Sequence, residues 1–472
     1  MHTTDVCVIG AGPAGSTLAA RLAQLGHDVC LIERASFRRS RLGESLSPGV
    51  LPLIETVGAR AAVEAAGFRP VSGVSVKWGT RWEERRNGGQ PGLLVDRGRF
   101  DSLLLGHARA HGVRVLQPAA VRDRRRDEDG WTLQIEAAGR RFALRAAFLA
   151  DAAGRSAVLR GRRRQVGRRT IALYAYWRGA RLPERPRIEA GAAEWFWGVP
   201  LPNGTYNTLV FVDVAALRSA GGGVARLFHT LLERSDLLAD CRDARLTSPV
   251  RATDATPYLD EGSITPLSIK VGDAALALDP LSSSGVQKAI QSALAGAVVV
   301  NTLLRRPALR EIALRFYQDS LEEASERHRR WAAEHYATVA SSNRGTFWQD
   351  RAESSPTPAA DRSEAELFSE GIVELSPDVR IVDQPCLEGQ FVTVKPALRH
   401  PNVDGAVAYL GDWELVPLLQ HARRRLTPHQ LAMSWSSRVP PETGLAIARW
   451  LLDHGILLRS HVAHVTSTAS SH

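Results

Sequence analysis

Apolar and polar positions in the first 35 residues follow a strand, turn, helix, strand order. Residues 5–9 (D-V-C-V-I) form an apolar run of strand type. It leads directly into Gly10-Ala-Gly12-Pro13-Ala14-Gly15. Residues 16–25 then carry apolar side chains at helical spacing, and 28–32 return as a strand ending at Glu33. Similar punctuation recurs later. Residues 149–156 (L-A-D-A-A-G-R-S) read as a strand ending at Asp151 and Gly154. Residues 95–101 (V-D-R-G-R-F-D) precede a helix, and 271–285 (V-G-D-A-A-L-A-L-D-P-L-S-S-S-G) lead into a helix from Val286.

The pattern changes after residue 350. Residues 353–366 are polar and contain two prolines, as in a linker. Beyond them, 385–407 mixes short apolar runs with turns, 413–422 and 428–435 predict short helices, and 440–454 predicts an amphipathic helix closed by Gly455. Residues 456–458 could add a strand. The expected organisation is a domain over 1–350, with sheet insertions near 70–95 and 165–260. A linker over 351–366 and a small winged-helix-like α+β module over 367–472 follow.

The opening motif carries specific chemistry. Gly10 permits the tight turn, Gly12 lets the backbone approach a pyrophosphate, and Gly15 lets helix and sheet pack closely. The free N–H groups at the helix N-terminus, from Ala14 onward after Pro13, suit phosphate oxygens. Glu33 lies where a carboxylate meets ribose hydroxyls. The fold class expected is α/β, a Rossmann-like dinucleotide-binding domain with an inserted β-sheet.

Taken together, the 95–101, 149–156 and 271–285 segments resemble the FAD-dependent monooxygenase and halogenase superfamily, which includes para-hydroxybenzoate hydroxylase, over about residues 1–340. The resemblance implies FAD as cofactor, with Asp273 on its ribityl side and Arg97 in contact with it. The loop from Pro280 to Gly285 would pass the isoalloxazine, and the helix from Val286 would aim its positive end at the flavin. Arg34, Arg41, Ser45, Val121, Asp151 and Gly154 complete the expected cofactor contacts. No second G-x-G-x-x-G follows a strand. Reduction is therefore expected from transiently docked NAD(P)H or from a separate flavin reductase.

Two motifs resemble the halogenase branch: L-G-Glu44-Ser45, and Trp195-Phe-Trp197-Gly-Val-Pro, whose tryptophans share one strand face. Halogenases of that branch carry a catalytic lysine a few residues after a G-F. In this chain that position is Val71, and Lys77 falls six residues late, beside Trp78. The glutamate of the tryptophan halogenases' proline loop is replaced by Ser282, two residues after Pro280. With both groups missing, direct oxygen transfer to an electron-rich ring is favoured over halogenation. Glu44, Ser45, Lys77, Trp195, Trp197, Pro280 and Ser282 are the candidate catalytic set. The combination is similar to the flavin monooxygenases that hydroxylate a tryptophan within a polypeptide during assembly of cysteine tryptophylquinone in quinohemoprotein amine dehydrogenases. It implies a polypeptide substrate or partner protein. The alternatives are an aromatic halogenase and a non-catalytic flavin-binding partner.

Composition narrows the partners. The net charge is +10, but lysine occurs only at Lys77, Lys270, Lys288 and Lys395 among 60 basic residues. An arginine bias of that kind reads as codon composition, and the helix over 440–454 balances Arg449 with Glu442 and Asp453. Nucleic acid is not expected. The four cysteines form no C-x-x-C, so no metal site is expected. No apolar run is long enough for a membrane span and no signal peptide stands out, which leaves a cytoplasmic expectation.

Overall fold

The first apolar run becomes the central strand of a parallel sheet in a computed structural model. The structure describes residues 2–36, 42–79, 81–86, 89–179, 181–236, 244–343, 345–352, 371–423 and 426–460. His2–Ile9 pairs in parallel with Arg140–Asp151 on one side and Val29–Ile32 on the other. The register sets Cys7 opposite both Leu149 and Cys30. Arg114–Leu116 and Ser268–Lys270 extend the parallel sheet outward. Val6, Cys7 and Val8 are fully buried, as an unbroken apolar run must be when both sheet faces are covered.

Helix α1 (Pro13–Gln24) follows the glycine turn. Helix α2 (Arg97–Ala110) is capped by the Asp96 carboxylate, which accepts from the Arg99 N–H. Helix α3 (Gly285–Arg305) lies close against the sheet and α1. At Gly296 a Cβ would meet Val271 Cγ1 at 3.1 Å and Leu18 Cδ1 at 3.8 Å.

A second sheet runs in the order Thr170–Arg178, Tyr206–Asp213, Glu194–Pro200, Arg187–Ala190, Gly73–Lys77 and Glu83–Arg86. Its two stretches of chain, around 73–86 and 170–213, meet where Arg187–Ala190 pairs in parallel with Gly73–Lys77. Glu194–Pro200 is buried at every position because both faces of this sheet are covered. Phe196 packs with Val210, Phe228 and Leu232 on one face. Trp195, Trp197 and Val199 pack on the other, with Tyr336 of α4 (Arg310–Ala340) and Trp348 of α5 (Thr346–Ala352).

The chain divides into two compact units, Met1–Pro356 and Thr357–His472. In the second, Ile372–Leu375 pairs antiparallel with Leu457–Ser460, and Arg380–Glu388 forms a nine-pair hairpin with Phe391–Arg399. That hairpin exceeds the short apolar runs and turns expected over 385–407, and it accommodates Pro385 and Pro396 within its strands. Helices α6 (Pro428–Ser434) and α7 (Pro441–Asp453) close a core of Val373, Leu398, Leu415, Trp435 and Leu451. Thr427 and Gln430 form a reciprocal capping box at α6. No helix among the described residues is long and apolar enough to cross a membrane.

Candidate active site

A cavity of about 630 Å³ runs from the glycine turn to the second sheet. At its first end Gly10 has φ +100°, and a Cβ there would sit 2.6 Å from the Ala152 carbonyl oxygen. A Cβ at Gly15 would fall on the Gly10 carbonyl oxygen, so Gly15 serves close packing behind the wall. The Glu33 carboxylate accepts from the Ala11 N–H at 2.9 Å and the Ala35 N–H at 2.8 Å while lining the cavity. The turn and the end of the second strand are thereby tied together.

Two helix N-termini open on this one cavity. Gly12, Pro13 and Ala14 bring α1 to the wall, and Gly285 and Val286 bring α3. Neither helix has a side-chain cap or an acidic residue in its first turn. Their N–H groups and partial positive charge are therefore available to an anion. Between them Arg97 is held by Asp101, Nε to Oδ1 at 3.1 Å, and donates to the Leu42 carbonyl at 2.5 Å. Asp273 pairs with Lys288 at 2.8 Å. Burial, the largest single influence, pushes the Asp273 carboxyl up, but Lys288, Arg155 and Arg97 together outweigh it, and the group lies below its ordinary range.

The far end has an apolar wall of Ala172, Trp197, Val199, Leu209 and Phe211 from the second sheet. Glu44 is the carboxyl buried beside it. Tyr176 Oη donates to Glu44 Oε1 at 2.7 Å and Asn207 Nδ2 to Oε2 at 2.8 Å. Tyr176 and Asn207 are direct cross-strand partners, so one rung of the sheet holds both carboxylate oxygens. Burial raises the Glu44 carboxyl to about 7, although those two hydrogen bonds and Arg97 favour its charged form.

Of the residues expected from sequence, Gly10, Gly12, Pro13, Ala14, Glu33, Arg34, Glu44, Ser45, Arg97, Val121, Gly154, Trp197, Asp273, Pro280, Gly285 and Val286 line this cavity. Five do not. Besides Gly15, Asp151 lies beneath the wall and accepts from the Ala153 and Leu159 N–H groups. Trp195 stacks on Phe211 with ring centroids 3.8 Å apart, one layer behind Trp197. Ser282 hydrogen-bonds back to the Asp279 carbonyl. Lys77 stands outside: its ammonium pairs with Asp236 at 2.7 Å and Glu189 at 3.3 Å, with the exposed Trp82 ring 5.4 Å away. The expectation of a catalytic Lys77 is corrected accordingly, since opposing charges anchor the side chain on the sheet surface. Val71, at the lysine position, lies in the short strand Arg69–Val71 and packs against the aromatic core. Arg41 lies outside the described residues.

Sequence reasoning missed Tyr176, Asn207 and Tyr336, since nothing in a single chain reveals which distant positions face each other. Asp279 stood in the quoted D-P-L-S-S-S-G run and was passed over. It is buried, and Tyr336 Oη donates to its carboxylate at 3.1 and 3.2 Å.

These features define a flavoprotein class, with a dinucleotide-binding sheet joined to a second sheet that walls an apolar chamber. The two uncapped helix ends, the side-chain-free turn and the Glu33 carboxylate at the cavity wall fit FAD. Residues 3–172 match the FAD binding domain family. Over 342 residues the chain is 33% identical to a tryptophan 2-halogenase of Chondromyces crocatus, covering 67% of this chain and 64% of that protein. The match thus spans just under two-thirds of that relative's length. Among solved structures, the peptidyl tryptophan dihydroxylase QhpG, essential for tryptophylquinone cofactor biogenesis, superposes with a TM-score of 0.74 at 29% identity, covering 96% of this chain and 99% of that one. The flavin-dependent halogenase CmlS shares the fold with a TM-score of 0.79 at 21% identity, over 97% and 96% of the two chains. The chain therefore carries an FAD-binding domain over residues 3–172, and FAD is its cofactor; the relatives it resembles over longer stretches are flavin-dependent halogenases and a peptidyl tryptophan dihydroxylase.

Proposed function

We propose that the chain is an FAD-dependent monooxygenase that hydroxylates the indole ring of a tryptophan held in a polypeptide, as a step in building a quinone cofactor. The observation that carries this reading is the lining of the cavity. Among the described residues no lysine reaches it, and Lys77 is held elsewhere by Glu189 and Asp236. The hydroxylase QhpG supports the polypeptide part of the reading, being 29% identical over nearly the whole of both chains. The second unit does not discriminate, because CmlS also covers 97% of this chain.

Bound and reduced, FAD supplies the electrons that activate dioxygen, delivered from NAD(P)H directly or through a separate reductase. Gly12–Ala14 and the N-terminus of α3 would hold its phosphates and pyrimidine edge. Arg97 and Asp273 would bind along the chain between them. The apolar wall from Ala172 to Phe211 excludes water and takes the face of an indole. Glu44, with a carboxyl poised near neutrality, takes the proton that leaves the ring carbon as the oxygen is added. A buried acid–base group of this kind has no use in a passive flavin carrier.

The second reading is halogenation, favoured by the 33% identity to the tryptophan 2-halogenase. The tryptophan 2-halogenase and QhpG are both named for tryptophan, so the indole is common to the two readings. The test is product mass, with reduced flavin, dioxygen, and either free tryptophan or a tryptophan-containing polypeptide, with and without chloride or bromide. A gain of oxygen on the polypeptide, independent of halide and retained in Lys77→Ala, is expected. A halide-dependent isotope pattern on free tryptophan would overturn the proposal.

A further inference from the structure

A second cavity, of about 360 Å³, lies behind the segment that closes the first. Leu278 and Asp279 belong to the walls of both. The rest of the second wall comes from α4, α5 and the segments around residues 166–168, Pro257 and Ala277, with His328, Tyr336 and Arg351 inside and the half-exposed Arg168 and Asp350 at the rim. We infer that Asp279 is a proton gate, taking protons from water in the second cavity and passing them into the flavin cavity.

The surroundings suit that role. Asp279 is held by Tyr336 Oη and by the Leu281 N–H at 3.0 Å, while His328 Nε2 lies 3.3 Å from its backbone carbonyl oxygen. The cations facing it are largely committed elsewhere. Arg351 pairs with Asp213 at 2.6 Å, Lys288 with Asp273, Arg168 with Asp350, and Arg329 with Glu326. Among the described residues no ion pair locks the carboxylate, so it can change its protonation state. Burial pushes its affinity for a proton up, while it lowers that of His328.

The inference rests on the monooxygenase reading, which requires proton entry. Anionic reduced flavin, dioxygen, an aryl C–H and one proton give oxidised flavin, an aryl C–OH and water. At the gate an O–H bond forms on Asp279 from the second-cavity side and breaks toward the first, with no change in oxidation state.

The experiment uses the FAD-loaded protein, Asp279→Asn and Tyr336→Phe. Infrared titration of the oxidised holoprotein should reveal a carboxyl band titrating above the ordinary carboxylate range. Glu44 contributes such a band in every variant; the contribution of Asp279 should be missing from the difference spectrum in Asp279→Asn and shifted to higher pH in Tyr336→Phe, which loses a donor to the charged form. Oxidation of bound reduced flavin by dioxygen should slow on the order of 100-fold in Asp279→Asn and lose its solvent isotope effect. A yellow Asp279→Asn protein with unchanged infrared spectrum and reoxidation would overturn the gate. Failure to bind FAD in the parent protein would instead sink the flavoenzyme reading itself.

Discussion

Glu44 turns the chemistry of a single carboxyl into a measurable property of the whole fold. Its folded carboxyl titrates near 7, above its ordinary value of 4.5, so the fold favours the protonated form. The stability it contributes is complete below about pH 4.5 and is lost as pH rises through 7. At 1.36 kcal/mol per unit the loss amounts to about 3 kcal/mol. Glu44→Gln should therefore remove about that much of the fall in stability between pH 4.5 and 8, read by urea unfolding of the FAD-loaded protein at the two pH values. It should also erase the limb near pH 7 in the profile of kcat/KM. Identical pH dependence in parent and variant would remove Glu44 from the site. The position was legible in sequence as part of L-G-E-S, but its buried state was not. Burial depends on the second sheet closing over it, and no local pattern around residue 44 reports that.

Individual elements differed in how much they disclosed. The glycine turn was readable because backbone geometry alone dictates it: Gly10 needs positive φ and Gly15 needs the absence of a Cβ. The W-x-W strand was readable because alternation places Trp195 and Trp197 on one face, and they do share one cluster. What alternation could not give was depth, and only Trp197 reaches the cavity. The cross-strand rung of Tyr176 and Asn207 was hidden for a related reason, since register is set by packing between segments 31 residues apart. That rung can be tested as a unit. Tyr176→Phe removes a donor to the charged form of Glu44, so the apparent pKa near 7 should rise by about 1–2 units, in line with about 1.5–3 kcal/mol for a hydrogen bond to a charged group. A downward or absent shift in the kcat/KM profile would contradict the assignment. The long hairpin of the second unit was missed because prolines inside strands argue against a strand in sequence.

At the scale of the whole molecule, every lining residue of the flavin cavity lies within Met1–Pro356. Deleting residues 360–472 should therefore leave a yellow protein that still consumes dioxygen when its flavin is reduced; we further propose that the second unit helps hold a polypeptide substrate, so that hydroxylation of the polypeptide is lost. Absorbance, oxygen uptake and product mass read the three parts separately. Loss of FAD on deletion would show that the first unit cannot stand alone, and full retention of polypeptide hydroxylation would free the second unit from any part in substrate binding.

The pairing of the two central strands has a consequence for the protein's working life. Any protein that reduces dioxygen leaks some hydrogen peroxide, and peroxide attacks thiolates first. Cys7 and Cys30 face each other in the innermost layer with no exposed surface, and burial pushes both thiols up. They are shielded from the oxidant by position and by protonation together. Among the described cysteines only Cys386 is partly exposed, and it lies in the second unit. Among the described cysteines, oxidation would therefore begin at Cys386 in the hairpin of the second unit and reach Cys7 and Cys30 last.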